Sequence, residues 1–221
     1  MKTVAVVPMK LNNRRLPQKN IRPFTNGNPL CHYILSTLLT VKGIDEVYVY
    51  CSNPDICQFI PKEAAYLERS KSLDQDTTKM NEVLQCFAAD VPADIYVMTH
   101  TTAPFISKTS IENGLNAVKS GEYDSSFAAK KLQDFLWKEG VPFNYELESI
   151  PRTQDLPALY EETSGFYIYK HEVITALHRR IGKTPYIVEV GEIESIDIDE
   201  MEDFLIADAV YNHIFLPKQH C

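Results

Sequence analysis

No stretch of this 221-residue chain approaches the roughly 20 consecutive apolar residues that a membrane-spanning helix needs. Positive charge is also scarce: 22 Lys and Arg stand against 30 Asp and Glu, for a net charge of −8. Such an acidic balance excludes nucleic acid bound along an extended surface. Glycine is sparse, and none of the eight falls into a G-x-G-x-x-G or Gly-Lys-Ser/Thr pattern after the first strand. That removes the dinucleotide fingerprint and the Walker loop. The five cysteines (Cys31, Cys51, Cys57, Cys86 and Cys221) are odd in number, and no pair has zinc-ligand spacing. They read as reduced thiols, most of them small core residues. The opening MKTVAVVPMK turns polar too soon for a signal peptide. The expectation is a cytoplasmic protein with neither a membrane nor a nucleic-acid partner.

What the chain does have is a rhythm. Val4 to Val7 form a short β-branched run, as in a strand buried on both faces. Pro29 opens a helix, with Leu30, Ile34 and Leu38 at helical spacing and Gly43 ending it. Strands follow at 46–51, 94–100 and 124–130. Asp76 or Thr77 is expected to cap a helix between the first two, and another helix runs over 108–119. Strand 165–170, helix HEVITALHRR, strand 185–190 and a helix from Met201 complete the pattern. Alternation of this kind predicts an α/β fold of Rossmann-like type: one domain over 1–221, a mostly parallel sheet, and helices on both faces. The rhythm breaks at 132–161, where a Gly-Val-Pro turn lies between aromatic runs and predicts a β-hairpin excursion.

Four segments can carry chemistry. In Pro8–Asn20, PMKLNNRRLPQKN gathers Lys10, Arg14, Arg15 and Lys19 after the first strand, where cations and backbone amides can converge on a polyanion. A solvated basic loop is the competing reading. Asp197 and Asp199, two apart, point to one side of an extended segment and form a hard-oxygen pair suited to Mg²⁺. They can equally be the acidic start of the last helix. In the stretch from Arg152 to Tyr169, Arg152 can clamp a carboxylate, and Gln154 and Tyr167 can bond hydroxyls. A surface turn leading to a core strand is the alternative. Finally, Thr99–Pro104 (THTTAP) would line a ligand crevice at a strand end, or form a simple turn.

In order and spacing, these segments resemble the acylneuraminate cytidylyltransferase family, the enzymes that make CMP-sialic acids; the KDO cytidylyltransferases look more distant. The family's PARGGSKRLPGKN aligns without a gap to PMKLNNRRLPQKN. Its Ser-Thr-Asp-like turn matches Cys51-Ser52-Asn53, and a basic position matches Arg69. QPTSPLR matches HTTAPFI, RRQDLP matches RTQDLP, a Gly-x-x-Tyr strand matches GFYIY, and DIDxxxDF matches DIDEMEDF. The likeness runs from Val4 to about Ala209. It implies a homodimer, with the hairpin reaching over the partner. It also implies that Lys10, Arg14 and Lys19 handle the triphosphate of CTP, while Asn20 and Arg69 contact the cytidine end. Asp197 and Asp199 would hold Mg²⁺, and Thr102, Arg152, Gln154 and Tyr167 would face a small acidic acceptor. Lys10, Lys19 and Asp199 are the residues implied in catalysis.

The departures are specific. Lys10 replaces an arginine, Leu11 and Asn12 replace paired glycines, Thr153 replaces the second arginine of RRQDLP, and His100 replaces a glutamine. The last two lie on the acceptor side and point to an acceptor other than ordinary N-acetylneuraminate. Two readings stay open beside this one: a transferase of the same fold using another nucleotide or acceptor, and a nucleotide-binding protein without activity.

Overall fold

Strand β1 (Thr3–Met9) is buried along its whole length, as its apolar run predicts. Its residues divide by parity. Ala5, Val7 and Met9 enter one core, and Val4 and Val6 the other. The computed structural model describes residues 1–216, so Cys221 lies outside the described residues. Around β1 are β2 (Glu46–Cys51), β3 (Ala65–Glu68), β4 (Ile95–Thr99), β5 (Ser125–Leu132), β8 (Leu159–Lys170) and β9 (Pro185–Val190), while β6 (Trp137–Lys138) and β7 (Val141–Pro142) form a separate small ribbon. The main sheet runs β3-β2-β1-β4-β8-β5-β9. All its pairings are parallel except those of β8, which is antiparallel to both β4 and β5.

Helices cover both faces. α1 (Leu30–Leu38) and α3 (Lys108–Lys119) bury Ile34, Leu35, Leu38, Ile111 and Leu115 on one side. α2 (Met80–Asp90) and α4 (His171–Ala176) bury Val83, Leu84, Phe87, Val173 and Ile174 on the other. A third cluster joins the first loop to α5 (Met201–Val210) through Leu16, Phe24, Tyr33, Ile198 and Phe204. Among the described residues, no helix is long and apolar enough to cross a membrane.

Three expectations change in detail. The helix expected at Asp76 or Thr77 begins at Met80, because the Asp76 carboxylate is taken by Arg14 at 2.6 Å and Lys10 at 3.4 Å. The helix HEVITALHRR stops at Ala176, and His178 takes a left-handed φ of 56°. The excursion is also shorter than 132–161, since Leu132 pairs with Leu159 and Lys130 with Glu161 inside the sheet. Of the described cysteines, Cys31 and Cys51 are buried, while Cys57 and Cys86 are exposed.

Gly165, in β8, has no room for a side chain. A Cβ there would lie 2.4 Å from Ile106 Cδ1 and 2.8 Å from its Cγ1, and Ile106 is itself buried. Gly165→Ala should lower the unfolding free energy by about 1–3 kcal/mol in a urea titration, the usual cost of overpacking. Gly191→Ala, which meets nothing within 4 Å, should stay within about 0.5 kcal/mol.

Candidate functional site

The chain lays down β1, β2 and β3 in one direction across the sheet, then returns to place β4 on the other side of β1. At such a reversal the loops leaving the two central strands part and open a crevice. A cavity of about 400 Å³ lies there. Its walls come from the end of β1 (Met9, Lys10), the first loop (Lys19, Asn20), the end of β4 (His100, Thr102) and the segment before α5 (Asp197, Asp199).

Hydrogen bonds stitch these walls together. Asn20 Nδ2 donates to the Lys10 carbonyl at 2.8 Å, and its Oδ1 accepts from Thr101 Oγ1 at 2.6 Å. The Asn20 amide thus ties the residue just after β1 to the turn that follows β4. The Ile198 N–H donates to the Thr102 carbonyl at 2.9 Å. Lys19 is buried, and its Nζ donates to the Ile198 carbonyl at 2.8 Å and to Asp199 Oδ1 at 3.3 Å.

The two readings of Asp197 and Asp199 separate here. The helix start is served by others: Glu200 and Asp203 form the capping box of α5. Asp203 Oδ2 accepts from the N–H groups of Asp199 and Glu200, which holds its carboxyl below the usual range. Ile198 points into the core and leaves the flanking carboxylates on the cleft side. Asp199 is gripped bidentately by Arg15 at 2.7 and 2.8 Å. Asp197 Oδ1 is buried with no partner among the described residues. A partnerless carboxylate oxygen on a residue that lines a polar cleft fits a hard cation. Among the described residues, no group of three or more His, Cys, Asp or Glu side chains is assembled for a metal. Mg²⁺ commonly takes only one or two carboxylates from the protein and the rest from substrate phosphates and water.

Arg69 lies deep on the β2 side. Its guanidinium Nη2 donates to Asp74 Oδ1 at 2.7 Å, and Ser52 Oγ donates to the other Asp74 oxygen at 2.5 Å. Arg69 Nε is buried without a partner among the described residues, and the residue lines the cleft. His100 lines it too. Burial, with the charges of Arg180 and Lys19, pushes this histidine down to about 4 despite an opposing pull from Asp199.

The cleft therefore brings together Lys10, Lys19, Asn20, Arg69, Thr102, Asp197 and Asp199. Arg14 lines an adjoining hollow beside Lys10 and Lys19, paired with Asp76. Arg152, Gln154 and Tyr167 are not brought to it. Arg152 is exposed and doubly bonded to Asp155, at 2.7 and 3.0 Å. Gln154 is exposed in the same short turn. Tyr167 is buried in the core on the α2 side, and burial raises its pKa. Arg15, Asp74 and Asp76 belong to the site but escaped selection from the sequence. Arg15 stood in the basic loop undistinguished from its neighbours, and the two acids carry no spacing that ties them to it.

A family model described as Cytidylyltransferase matches residues 4–211. Over 220 residues the chain is 23% identical to a bifunctional pseudaminic acid cytidylyltransferase and UDP-2,4-diacetamido-2,4,6-trideoxy-beta-L-altropyranose hydrolase of Helicobacter pylori, covering 95% of this chain and 42% of that protein. It is 21% identical over 228 residues to an N-acylneuraminate cytidylyltransferase of Streptococcus agalactiae, covering 97% of this chain and 54% of that one. The chain spans about half the length of these two relatives. Its fold is similar to that of a CMP:2-keto-3-deoxy-manno-octonic acid synthetase complexed with CTP, with a TM-score of 0.72 at 17% identity over 96% of this chain and 99% of the other. With the family match running over nearly the whole chain, the chain belongs to the cytidylyltransferase family.

Proposed function

We propose that this chain is a Mg²⁺-dependent cytidylyltransferase that transfers CMP from CTP to an acidic sugar of the nonulosonic or sialic-acid-like kind and releases pyrophosphate. The observation that carries this reading is the convergence of Lys10, Lys19, Arg69, Asp197 and Asp199 on one cleft at the strand-order reversal. The names of the relatives, which act on pseudaminic and N-acylneuraminic acids, support the acceptor class.

The roles follow from the donors left over. Arg69 keeps a buried Nε with no partner among the described residues, suited to an acceptor atom on the cytosine ring. Lys19 carries three N–H donors and spends two, on Ile198 and Asp199, which leaves one for a phosphate oxygen. Among the described residues, Lys10 and Arg14 are held only by Asp76 and the Asp74 carbonyl, and can exchange these partially exposed contacts for the triphosphate. Asp197 and Asp199 would hold Mg²⁺, which when bound supplies positive charge toward the phosphates. The acceptor oxygen attacks the α-phosphorus, the α–β phosphoanhydride bond breaks, and pyrophosphate leaves. The lysines offset charge on the phosphates in a site where they are already oriented. The exposed aromatic residues of the ribbon, Phe135, Trp137 and Phe143, support a homodimer.

Pyrophosphate release with Mg²⁺ should occur with CTP and not with ATP, GTP or UTP, and only when a 2-keto acid sugar is present. Asp199→Ala should reduce it by at least about 100-fold. CTP binding without release in any pairing would overturn the reading. Light scattering should give twice the chain mass, and Trp137→Glu with Phe143→Glu should reduce it to that of a monomer. His100 gives a pH signature. Its folded pKa of about 4 lies below the ordinary 6.5, so the unfolded chain takes up the proton first. Its contribution to stability is complete above pH 6.5 and is lost as the pH falls toward 4. The melting temperature of His100→Gln should therefore drop less between pH 7 and pH 5 than that of the wild type.

A further inference from the structure

An acidic acceptor needs a cation, and Arg152, the first candidate, faces solvent in its own ion pair. Thr153 offers no charge. A different guanidinium stands beside the cleft. Arg180 lies over the ring of Tyr167, 3.9 Å from its centroid. Its Nη2 donates to Tyr167 Oη at 3.2 Å and to Glu162 Oε1 at 3.4 Å, and the Tyr167 hydroxyl donates to the same Glu162 oxygen at 2.5 Å. Ring, hydroxyl and carboxylate together fix the plane of the guanidinium. Nη1 and Nε of Arg180 donate to no group among the described residues.

Its position is equally specific. Arg180 and Glu162 line a hollow with Met80, and Met80 also lines the main cleft. Ser164, two residues beyond Glu162 on β8, faces the cleft. The Arg180 charge reaches His100 on the cleft wall and disfavours its protonation. The hollow thus adjoins the cleft across Met80 and presents an arginine with donors to spare.

We infer that Arg180 binds the carboxylate of the acceptor. The inference rests on the proposed cytidylyltransferase reading and names the residue that recognises the acid. A guanidinium held flat on an aromatic face is pre-ordered, so little side-chain entropy is lost when a carboxylate docks. Charge-assisted N–H···O bonds then supply the affinity. Glu162 offsets only one of the three cations that line the hollow, Lys79, Arg179 and Arg180, so the hollow stays net positive toward an acid.

The test compares acids with their uncharged counterparts. N-acetylneuraminate, pseudaminate and 3-deoxy-manno-octulosonate would each be assayed beside their methyl esters, by CTP-dependent pyrophosphate release and by calorimetric binding in the presence of CMP. In the wild type the acid should be preferred. In Arg180→Met that preference should fall by about tenfold or more while the KM for CTP stays unchanged, and Arg180→Lys should lie between the two. A loss of folding would lower acid and ester alike, so the ratio isolates recognition. An unchanged ratio in Arg180→Met, or a ratio lost in Arg152→Met instead, overturns the assignment. If the wild type releases no pyrophosphate but binds the acids in an Arg180-dependent manner, the reaction is wrong and the recognition stands. If release is robust and the ratio is indifferent to Arg180, the reverse holds.

Discussion

The ammonium of Lys19 is buried between parts of the chain 179 residues apart, and the cleft depends on it. It reaches the Ile198 carbonyl and the Asp199 carboxylate from the middle of the first loop. A buried ammonium without such partners would cost several kcal/mol or lose its proton. The loop and the segment before α5 must therefore close on each other for either to be stable. Once they do, the Ile198 N–H meets Thr102 and Ile198 itself enters the third apolar cluster with Leu16 and Phe24. One polar requirement and one apolar cluster thus fix the distance from the basic loop to the paired aspartates.

The ligand-free cleft is not a bare basic patch. Each cation of the first loop has an acid to hold: Arg14 and Lys10 share Asp76, and Arg15 and Lys19 share Asp199. Apart from that of the buried Lys19, these pairs are at least partly exposed and contribute little to stability, typically below about 1 kcal/mol. They keep long side chains oriented toward the cleft at small cost, and a polyanion can displace them. Arg69 and Asp74 differ, being nearly buried. They form a fixed floor, since removing either partner would strand a charge.

Much of this was legible in the residues. Apolar runs and their periodicities located the main strands and helices, because burial on one or both faces writes itself into local sequence. The two-residue alternation placed Asp197 and Asp199 on one side, and the buried Ile198 between them is the reason it worked. What remained hidden was long-range. Nothing local marks β8 as antiparallel, since strand direction depends on where a connection lands. Arg152 and Arg180 are indistinguishable as residue types, and only the packing of Tyr167 puts one beside the cleft and leaves the other in solvent. Asp76 has the chemistry of a helix cap, and it lost that role to two cations from another loop.

The ribbon between β5 and β8 is hung from a closed register. Leu132 pairs with Leu159 and Lys131 with Tyr160 before the chain leaves the sheet, so everything beyond that pair begins and ends at one fixed doorway. Lengthening such a segment costs only loop-closure entropy, about 0.6 kcal/mol for each doubling. Evolution can therefore rewrite this exposed appendage without retuning the floor of the cleft. Surface identity and chemistry are in this sense separately heritable within one chain.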